Sequence, residues 1–193
     1  MILIIEGPEK SGKTTLVAAL IKKFPGVMIK ITDRPKDFSR EEKLKIKFHY
    51  LRVMQFAKDS PENTFILDRF YPSEMVYSIK RGYDAMKDSF FRDLETHIMK
   101  EKHLLVFCNP GKEIISKRLK ETPDDYLTKK ENIEMLQRYQ NFLKKTRLFS
   151  LEVNTSNPTE ITVEKIIKKL KEYPEWKLKL PSSPRAQLTL FPE

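Results

Sequence analysis

The feature that most constrains this chain is a short loop bounded by glycines near its start. Residues 7–14 read Gly-Pro-Glu-Lys-Ser-Gly-Lys-Thr, which fits the pattern of a glycine, any four residues and then Gly-Lys-Thr. The apolar run at residues 1–6 predicts a strand buried on both faces, and the apolar spacing of residues 13–24 predicts a helix. A strand, this loop and a helix in that order form the context in which the pattern binds phosphate.

The residue types of the loop indicate how it would hold a nucleotide. Glycines let successive backbone N–H groups turn inward around an anion, and the following helix presents the positive end of its dipole. Lys13 is expected to reach the β- and γ-phosphates, and the hydroxyl of Thr14 is expected to bind Mg²⁺. The sequence therefore predicts a site for ATP and Mg²⁺. The residues assigned to this site are Gly7, Lys10, Ser11, Gly12, Lys13, Thr14 and Thr15.

The remainder of the chain alternates between apolar segments and helical patterns. Further strands are predicted at residues 27–32, 64–68, 104–108 and 148–154, and further helices at residues 40–58, 112–120, 132–146 and 159–173. Short strands separated by helices are typical of a parallel sheet covered by helices on both faces. We therefore predict an α/β P-loop NTPase fold with a five-stranded parallel sheet.

The last twenty residues differ in composition from the rest. Residues 174–193 contain four prolines, a density that is incompatible with a regular helix or a central strand. A chain of 193 residues has the length of one compact domain with a tail. We predict a domain at residues 1–173 and a proline-rich tail at residues 174–193.

Charge and cysteine content narrow the classes of partner. The chain carries 37 lysines and arginines against 27 aspartates and glutamates, a net charge of +10 that favours nucleic acid or nucleotides. Solvated helix faces rich in lysine explain the charge equally well. The single cysteine, Cys108, excludes a disulfide framework and a cysteine-based zinc site. Because no apolar run approaches about 20 residues, we expect a cytoplasmic protein without a membrane partner.

Around the loop the sequence resembles the thymidylate kinase family. In that family the loop is preceded by a Glu and carries an acid two residues after its first glycine, as Glu6 and Glu9 do here. A second family signature is an Asp-Arg-aromatic triplet at a strand end, followed by a Ser and a Tyr on a helix. Asp68-Arg69-Phe70, Ser73 and Tyr77 match it. The resemblance implies phosphoryl transfer from ATP to an acceptor nucleotide.

The resemblance also implies roles for individual side chains. Glu9 would bind the 3′-hydroxyl of the acceptor, and Lys10 stands where some members carry a catalytic arginine. Asp68 would hold Mg²⁺ through water or orient the acceptor oxygen; the alternative is that it only caps the next helix. Arg69 would clamp the acceptor phosphate with its fork of donors. Ser73 and Tyr77 complete this part of the predicted substrate site.

Two further matches concern the acceptor and its base. Residues 32–35, Thr-Asp-Arg-Pro, resemble the family's Thr-Arg-Glu-Pro turn, with Arg34 displaced by one position. Phe48 and Arg52 repeat the family's Phe, any three residues, Arg, in which the Phe stacks on thymine and the Arg bonds its O4 atom. At positions i and i+4 they would share one helix face. Core packing is the alternative for Phe48.

The donor side carries weaker matches. Residues 117–130 stand where these kinases have a mobile lid that closes on ATP, and the resemblance implies that Arg118 neutralises charge on the transferred phosphoryl group. Residues 154–157, Asn-Thr-Ser-Asn, stand where the loop that contacts adenine is expected. The predicted catalytic residues are Lys13, Asp68, Arg69 and Arg118, and the predicted metal ligands are Thr14 and Asp68.

The tail carries a short motif of its own. Residues 187–191, Gln-Leu-Thr-Leu-Phe, resemble the peptide by which bacterial and phage replication proteins dock on the DNA sliding clamp. The resemblance implies a clamp partner bound by Gln187, Leu188, Leu190 and Phe191. The alternative is that these apolar side chains fold back onto the domain itself.

Three functions remain open at this stage. The first is a dTMP kinase, which Glu9 favours because a mononucleotide has a free 3′-hydroxyl. The second is a kinase of 5-hydroxymethyluracil in phage DNA, tethered to the sliding clamp, which the net charge and the tail motif favour. The third is a nucleotide-gated adaptor without acceptor chemistry, and the intact Asp68-Arg69 and Phe48/Arg52 sets count against it.

Overall fold

The computed structural model describes residues 1–24, 26–30, 39–122 and 127–173. Within these ranges the strands are β1 (Ile2–Glu6), β2 (Val27–Lys30), β3 (Phe65–Asp68), β4 (His103–Cys108) and β5 (Ser150–Val153). They form one sheet in the order β2-β3-β1-β4-β5, and every neighbouring pair is parallel. The prediction of an α/β fold with a five-stranded parallel sheet is confirmed.

Seven α-helices lie in the described ranges: α1 (Lys13–Lys23), α2 (Arg40–Asp59), α3 (Tyr71–Tyr77), α4 (Ser89–Ile98), α5 (Lys112–Glu121), α6 (Lys129–Leu143) and α7 (Thr159–Lys171). The 3₁₀-helices Ser78–Arg81 and Ala85–Lys87 follow α3. Helix α4 is absent from the sequence prediction, although its buried residues Phe91, Leu94 and Ile98 recur at helical spacing. Among these helices none is long and apolar enough to cross a membrane.

The start of α6 also differs from the prediction. The helix begins at Lys129 instead of residue 132 and ends at Leu143 instead of residue 146. Thr128 and Glu131 form a capping box, in which each side chain accepts the backbone N–H of the other residue. This cap fixes the helix start and brings Asn132, in the first turn, to the phosphate loop.

Both faces of the sheet are buried under helices, as predicted. Successive side chains of β1 point to opposite faces. Leu3 and Ile5 join a core that includes α1 and α7, whereas Ile2 and Ile4 join a core that includes α2, α3 and α4. Because β1 is the central strand, the loop that follows it opens at the middle of the carboxyl edge of the sheet. Open α/β sheets bind their ligands at this edge.

Several predicted features fall outside the described residues. Arg34 is one of them, and residues 123–126 of the predicted lid are another. The tail at residues 174–193 also lies outside, together with its motif residues Gln187, Leu188, Leu190 and Phe191. The predictions made for these residues stay predictions.

Candidate active site

The loop between β1 and α1 takes its shape from residues with positive φ. These are Gly7 (+151°), Lys10 (+59°) and Gly12 (+87°). A Cβ atom on Gly7 would come within 2.6 Å of the carbonyl oxygen of Cys108, so glycine is required there by space as well as by conformation. Lys10 adopts the left-handed conformation without being a glycine. This costs about 1–2 kcal/mol and is typical of turns that bind ligands.

Other elements hold the loop from outside. Three successive carbonyls, those of residues 9–11, each accept a hydrogen bond from a different element. The donors are Asn132 Nδ2 of α6 to Glu9 O (3.2 Å), Arg118 Nη1 of α5 to Lys10 O (2.9 Å) and Thr155 Oγ1 after β5 to Ser11 O (2.5 Å). Helix α1 begins without a side-chain cap among the described residues. Its first N–H groups are therefore left for an anionic ligand.

Lys13 lies beneath the loop and is 7% exposed. Its ammonium donates a hydrogen bond to the carbonyl oxygen of Pro8 at 2.6 Å. Burial, followed by the charge of Arg69, lowers the pKa of Lys13 to about 8. The ammonium is thus the main form at neutral pH. A phosphate oxygen would be a stronger partner for it than a neutral carbonyl.

Asp68 ends β3, where it pairs in register with Ile5 of β1 and Lys30 of β2. It is buried, and among the described residues its carboxylate makes no hydrogen bond or ion pair. It does not cap the next helix, because α3 begins after Phe70 without a side-chain cap. Asp68 and Thr14 line the same cleft. A carboxylate and a hydroxyl are oxygen ligands that suit Mg²⁺.

Arg69 binds the loop from the opposite side. It has a φ of +69°, and this conformation directs its guanidinium back towards residues 7–9. Its Nη2 atom donates to Glu9 Oε1 at 2.7 Å, and its Nη1 atom donates to Ser73 Oγ at 3.1 Å. The guanidinium carbon lies 5.2 Å from the centre of the Tyr77 ring. The structure therefore brings together four of the residues that the sequence assigned to the acceptor.

Glu6 holds this group in place from below. Its carboxylate accepts hydrogen bonds from the backbone N–H of Phe70 at 2.7 Å, from the hydroxyl of Ser73 at 2.7 Å and from the hydroxyl of Tyr139 at 2.9 Å. Burial raises the pKa of Glu6, and the charge of Arg69 opposes that rise. A carboxylate at the start of α3 also complements the helix dipole. Glu6 thus fixes the position of α3 relative to the loop.

Phe48 and Arg52 do not reach the cleft. Helix α2 turns Tyr50, Val53 and Met54 inward, and Tyr50 is two residues, or about 200°, from both Phe48 and Arg52. Phe48 and Arg52 share one helix face, as predicted, but it is the outer face, and Phe48 is 62% exposed. The aromatic side chain that α2 contributes to the cleft is Tyr50.

The cleft has a volume of about 1030 Å³. Its first part, here called the loop end, is lined by residues 9–15, Arg118 and residues 155–159. Its second part, here called the helix end, is lined by Tyr50, Arg69, Phe70, Ser73, Glu74, Tyr77 and Arg81. The volume lies at the upper end of the usual range of about 300–1,000 Å³ for sites of small ligands.

Sequence analysis assigned no role to Tyr50, Glu74 or Arg81. One signal for Glu74 was present, because a carboxylate stands in the otherwise apolar or neutral segment Tyr71–Tyr77. Nothing comparable marks Tyr50 or Arg81, whose inward placement depends on how α2 and the 3₁₀-helix Ser78–Arg81 pack.

The order of the strands and the phosphate loop after the central strand are those of a P-loop NTPase fold. No family model matches the chain. A relative found by sequence is YorR, a protein derived from the SPbeta prophage of Bacillus subtilis strain 168. It is 28% identical over 155 residues, which cover 80% of this chain and 88% of YorR.

Solved structures share the fold. The crystal structure of Bacillus subtilis YorR in complex with phosphorylated GDP has a TM-score of 0.69 at 22% identity, covering 89% of this chain and 96% of YorR. Thymidylate kinase from Candida albicans has a TM-score of 0.60 at 20% identity, covering 88% and 92% of the two chains. Deoxyadenosine kinase from M. mycoides, with dCMP and dCDP bound, has a TM-score of 0.59 at 14% identity, covering 89% and 99%. At these identities the likeness concerns the fold.

Proposed function

We propose that this chain is a kinase that uses ATP and Mg²⁺ to phosphorylate a nucleotide of the thymidylate type, with dTMP as the leading acceptor. The observation that carries the proposal is the ion pair of Arg69 and Glu9 at 2.7 Å, in the same cleft as Lys13 and Asp68. It sets a fork of cationic donors and a carboxylate beside the phosphate loop. Nucleotide hydrolysis needs a water at this place, whereas transfer to an acceptor needs groups that hold the acceptor.

The loop end suits the donor. The phosphates of ATP would lie on the N–H groups of the loop and of the start of α1, and Lys13 would exchange the Pro8 carbonyl for phosphate oxygens. Thr14 and Asp68 would hold Mg²⁺, which supplies charge neutralisation on the β- and γ-phosphates. Arg118 and Lys10 add positive charge beside them, and residues 154–157 would contact the adenine.

The helix end suits the acceptor. Arg69 would bind the acceptor phosphate. An oxygen of that phosphate attacks the γ-phosphorus of ATP, the bond between the γ-phosphorus and the bridging β-phosphate oxygen breaks, and ADP leaves. Glu9 would accept a hydrogen bond from the 3′-hydroxyl. Ser73, bonded to both Glu6 and Arg69, would hold Arg69 in place. Because Phe48 and Arg52 lie away from the cleft, this proposal does not use them.

The comparisons support the proposal at the level of fold, since thymidylate kinase and deoxyadenosine kinase share this architecture. The YorR structure contains phosphorylated GDP, which makes a guanine nucleotide the second candidate acceptor. An enzyme that draws on ATP and carries its one cysteine, Cys108, as a buried free thiol fits the reducing cytoplasm.

A second candidate function is phosphorylation of 5-hydroxymethyluracil in phage DNA. The net charge of +10 and the clamp-like motif at residues 187–191 favour it, and the prophage origin of YorR is in keeping with a phage setting. In this case DNA is the acceptor and the sliding clamp is a partner. Arg69 would then contact a strand phosphate or the transition state.

The tail can be tested separately. A labelled peptide of residues 181–193 should bind the clamp of the cognate host with about micromolar affinity, as short peptides that order on binding commonly do. A matched peptide with Gln187, Leu190 and Phe191 replaced by alanine should not bind. Equal binding of the two peptides, or melting of the whole domain after deletion of residues 181–193, would contradict a docking role.

Labelling decides between the acceptors. The protein is incubated with γ-labelled ATP and Mg²⁺ and with dTMP, other monophosphates, plain DNA or DNA containing 5-hydroxymethyluracil in parallel. We expect label in a nucleoside diphosphate, foremost dTDP. Label in the modified DNA alone would establish phosphorylation of 5-hydroxymethyluracil in DNA instead. Release of free phosphate with no labelled acceptor would overturn both.

A further inference from the structure

The helix end of the cleft contains a second ion pair, distinct from that of Arg69. Arg81 Nη2 donates to Glu74 Oε2 at 2.6 Å, and the two side chains are only 13% and 7% exposed. Glu74 lies on α3, and Arg81 ends the 3₁₀-helix that follows. Both line the cleft. Removing two charges from water is costly, so a pair placed at a cavity wall calls for a role beyond filling space.

The ring of Tyr77 lines the same cleft. Its hydroxyl oxygen is buried, and the Arg69 guanidinium lies over the ring at 5.2 Å from its centre. The polar groups that this wall offers to a ligand are therefore those of the Glu74–Arg81 pair, which form its polar edge.

The walls beside this edge are aromatic. Tyr50 and Phe70 both line the cleft, and their ring centres lie 4.9 Å apart in an edge-to-face arrangement. Aromatic walls next to a few convergent polar groups form a typical site for a planar ligand with one polar edge. A nucleobase is a ligand of this kind.

We propose, on the premise of the kinase function above, that Glu74 and Arg81 select the acceptor by the lactam edge of its base. This edge is a carbonyl oxygen next to a ring N–H, and it is present in thymine, uracil and guanine. The Arg81 guanidinium donates to the carbonyl. The ring N–H donates to Glu74 Oε1, which has no hydrogen-bond partner among the described residues.

The corresponding edge of cytosine and adenine is rejected by the same two side chains. Cytosine and adenine present an amino group where the lactam has its carbonyl, and an unprotonated ring nitrogen where the lactam has its N–H. Donors would then face the Arg81 donors, and a lone pair would face the Glu74 carboxylate. In a buried site, polar groups left unpaired in this way discriminate strongly between ligands.

The test uses pairs of nucleotides that share a shape and differ in this edge. dTMP is compared with 5-methyl-dCMP, and dGMP with the monophosphate of 2,6-diaminopurine deoxyriboside. The measurements on the wild-type protein are kcat/KM with ATP and Mg²⁺, and calorimetric binding without ATP. In the pair that the enzyme accepts, the lactam member should be preferred by about 100-fold or more. Which of the two pairs is accepted shows whether the acceptor base is a pyrimidine or a purine.

A variant sharpens the result. Glu74→Gln keeps the size of the side chain but can offer an N–H to an unprotonated ring nitrogen, so the preference should fall below about tenfold. The matched control is Glu42→Gln, which removes a carboxylate from an exposed ion pair with Lys45 and should leave the preference unchanged. Should Glu74→Gln melt at a much lower temperature, the wild-type comparison still decides the question.

The outcomes separate this inference from the kinase function. Phosphoryl transfer with no preference between the members of either pair, or with a preference for the amino member, overturns the role of Glu74 and Arg81 and leaves the kinase function standing. A lactam preference in calorimetry without phosphoryl transfer supports the site and overturns the kinase function. Neither binding nor transfer overturns both.

Discussion

The loop end and the helix end of the cleft offer a ligand different kinds of chemical group. At the loop end the contacts offered to a ligand are mostly backbone N–H groups, and their geometry follows from the positive φ of Gly7, Lys10 and Gly12. At the helix end the contacts are side chains, and two ion pairs set their positions. A backbone site tolerates few residue types, whereas a side-chain site can change its ligand by exchanging one residue.

The two ends should therefore respond differently to mutation. Changes at the loop end should abolish transfer to every acceptor, because each reaction shares the same donor. Changes at the helix end should depend on the acceptor offered. The following predictions run from the largest expected effect to the smallest.

Lys13→Ala should have the largest effect. It removes the positive charge that we assign to the β- and γ-phosphates, and losses of about 1,000-fold in turnover are usual for such contacts. The loss should be the same for every acceptor. The measurement is kcat/KM together with a thermal melt, and Lys22→Ala, on the exposed end of α1, is the control. Turnover close to that of the wild type would remove the basis for the donor site.

Arg69→Ala should reduce kcat/KM for a monophosphate acceptor by about 100-fold while leaving ATP binding nearly intact. With a DNA acceptor, the same change should also alter the dependence of activity on salt. Steady-state kinetics with each acceptor measure the difference, and Arg92→Ala on the exposed side of α4 serves as the control. Equal loss of ATP affinity and of acceptor affinity would show that Arg69 serves both ligands and that the two ends are not separate sites.

Gly7→Ala tests the backbone character of the loop end. The new Cβ would lie 2.6 Å from the Cys108 carbonyl, so we expect about 1–3 kcal/mol of lost stability and weaker ATP binding. Gly82→Ala is the matched control, since Gly82 also has a positive φ but nothing within 4 Å of its Cβ position. It should cost about 1 kcal/mol and leave ATP binding unchanged. Identical melting temperatures and ATP affinities for the two variants would contradict a close-packed loop.

The pH dependence of ATP binding should be the smallest of these effects. Burial lowers the pKa of Lys13 to about 8, so the ammonium is lost as the pH rises above that value, and phosphate binds the charged form. ATP affinity should then fall by up to about fivefold between pH 8 and 9. Lys13→Arg, which stays charged, should show no such fall. A flat affinity profile for the wild type would contradict the burial of this amine.

The sequence located the residues of the loop end because the constraints on them are local. Gly7 and Gly12 must be glycine for conformational reasons, and Asp68 follows from its place at a strand end, so a single sequence reveals them. Hydrogen bonds between residues far apart in the sequence were harder to foresee. Asn132 reaches the loop from α6, and no spacing in the sequence joins it to Glu9.

The helix end was predicted only in part. Arg69, Ser73 and Tyr77 belong to one contiguous motif and were found together. The resemblance assigned base recognition to Phe48 and Arg52. Two residues that share a helix face do not reveal which way that face points, and the structure places these two on the outer face of α2. The inward turn of Tyr50 depends on packing against Phe70, a contact between elements that a single sequence does not reveal.

One measurement tests most directly whether the helix end is an acceptor site. The rate of ADP formation is followed with ATP and Mg²⁺, first alone and then with the acceptor that the labelling experiment selects. Because transfer needs both ends filled, we predict that the acceptor raises the rate by about 100-fold or more and that each ADP is matched by one phosphorylated acceptor. An equal rate of ADP formation without any acceptor would show that the chain is a nucleotide hydrolase and would contradict the account.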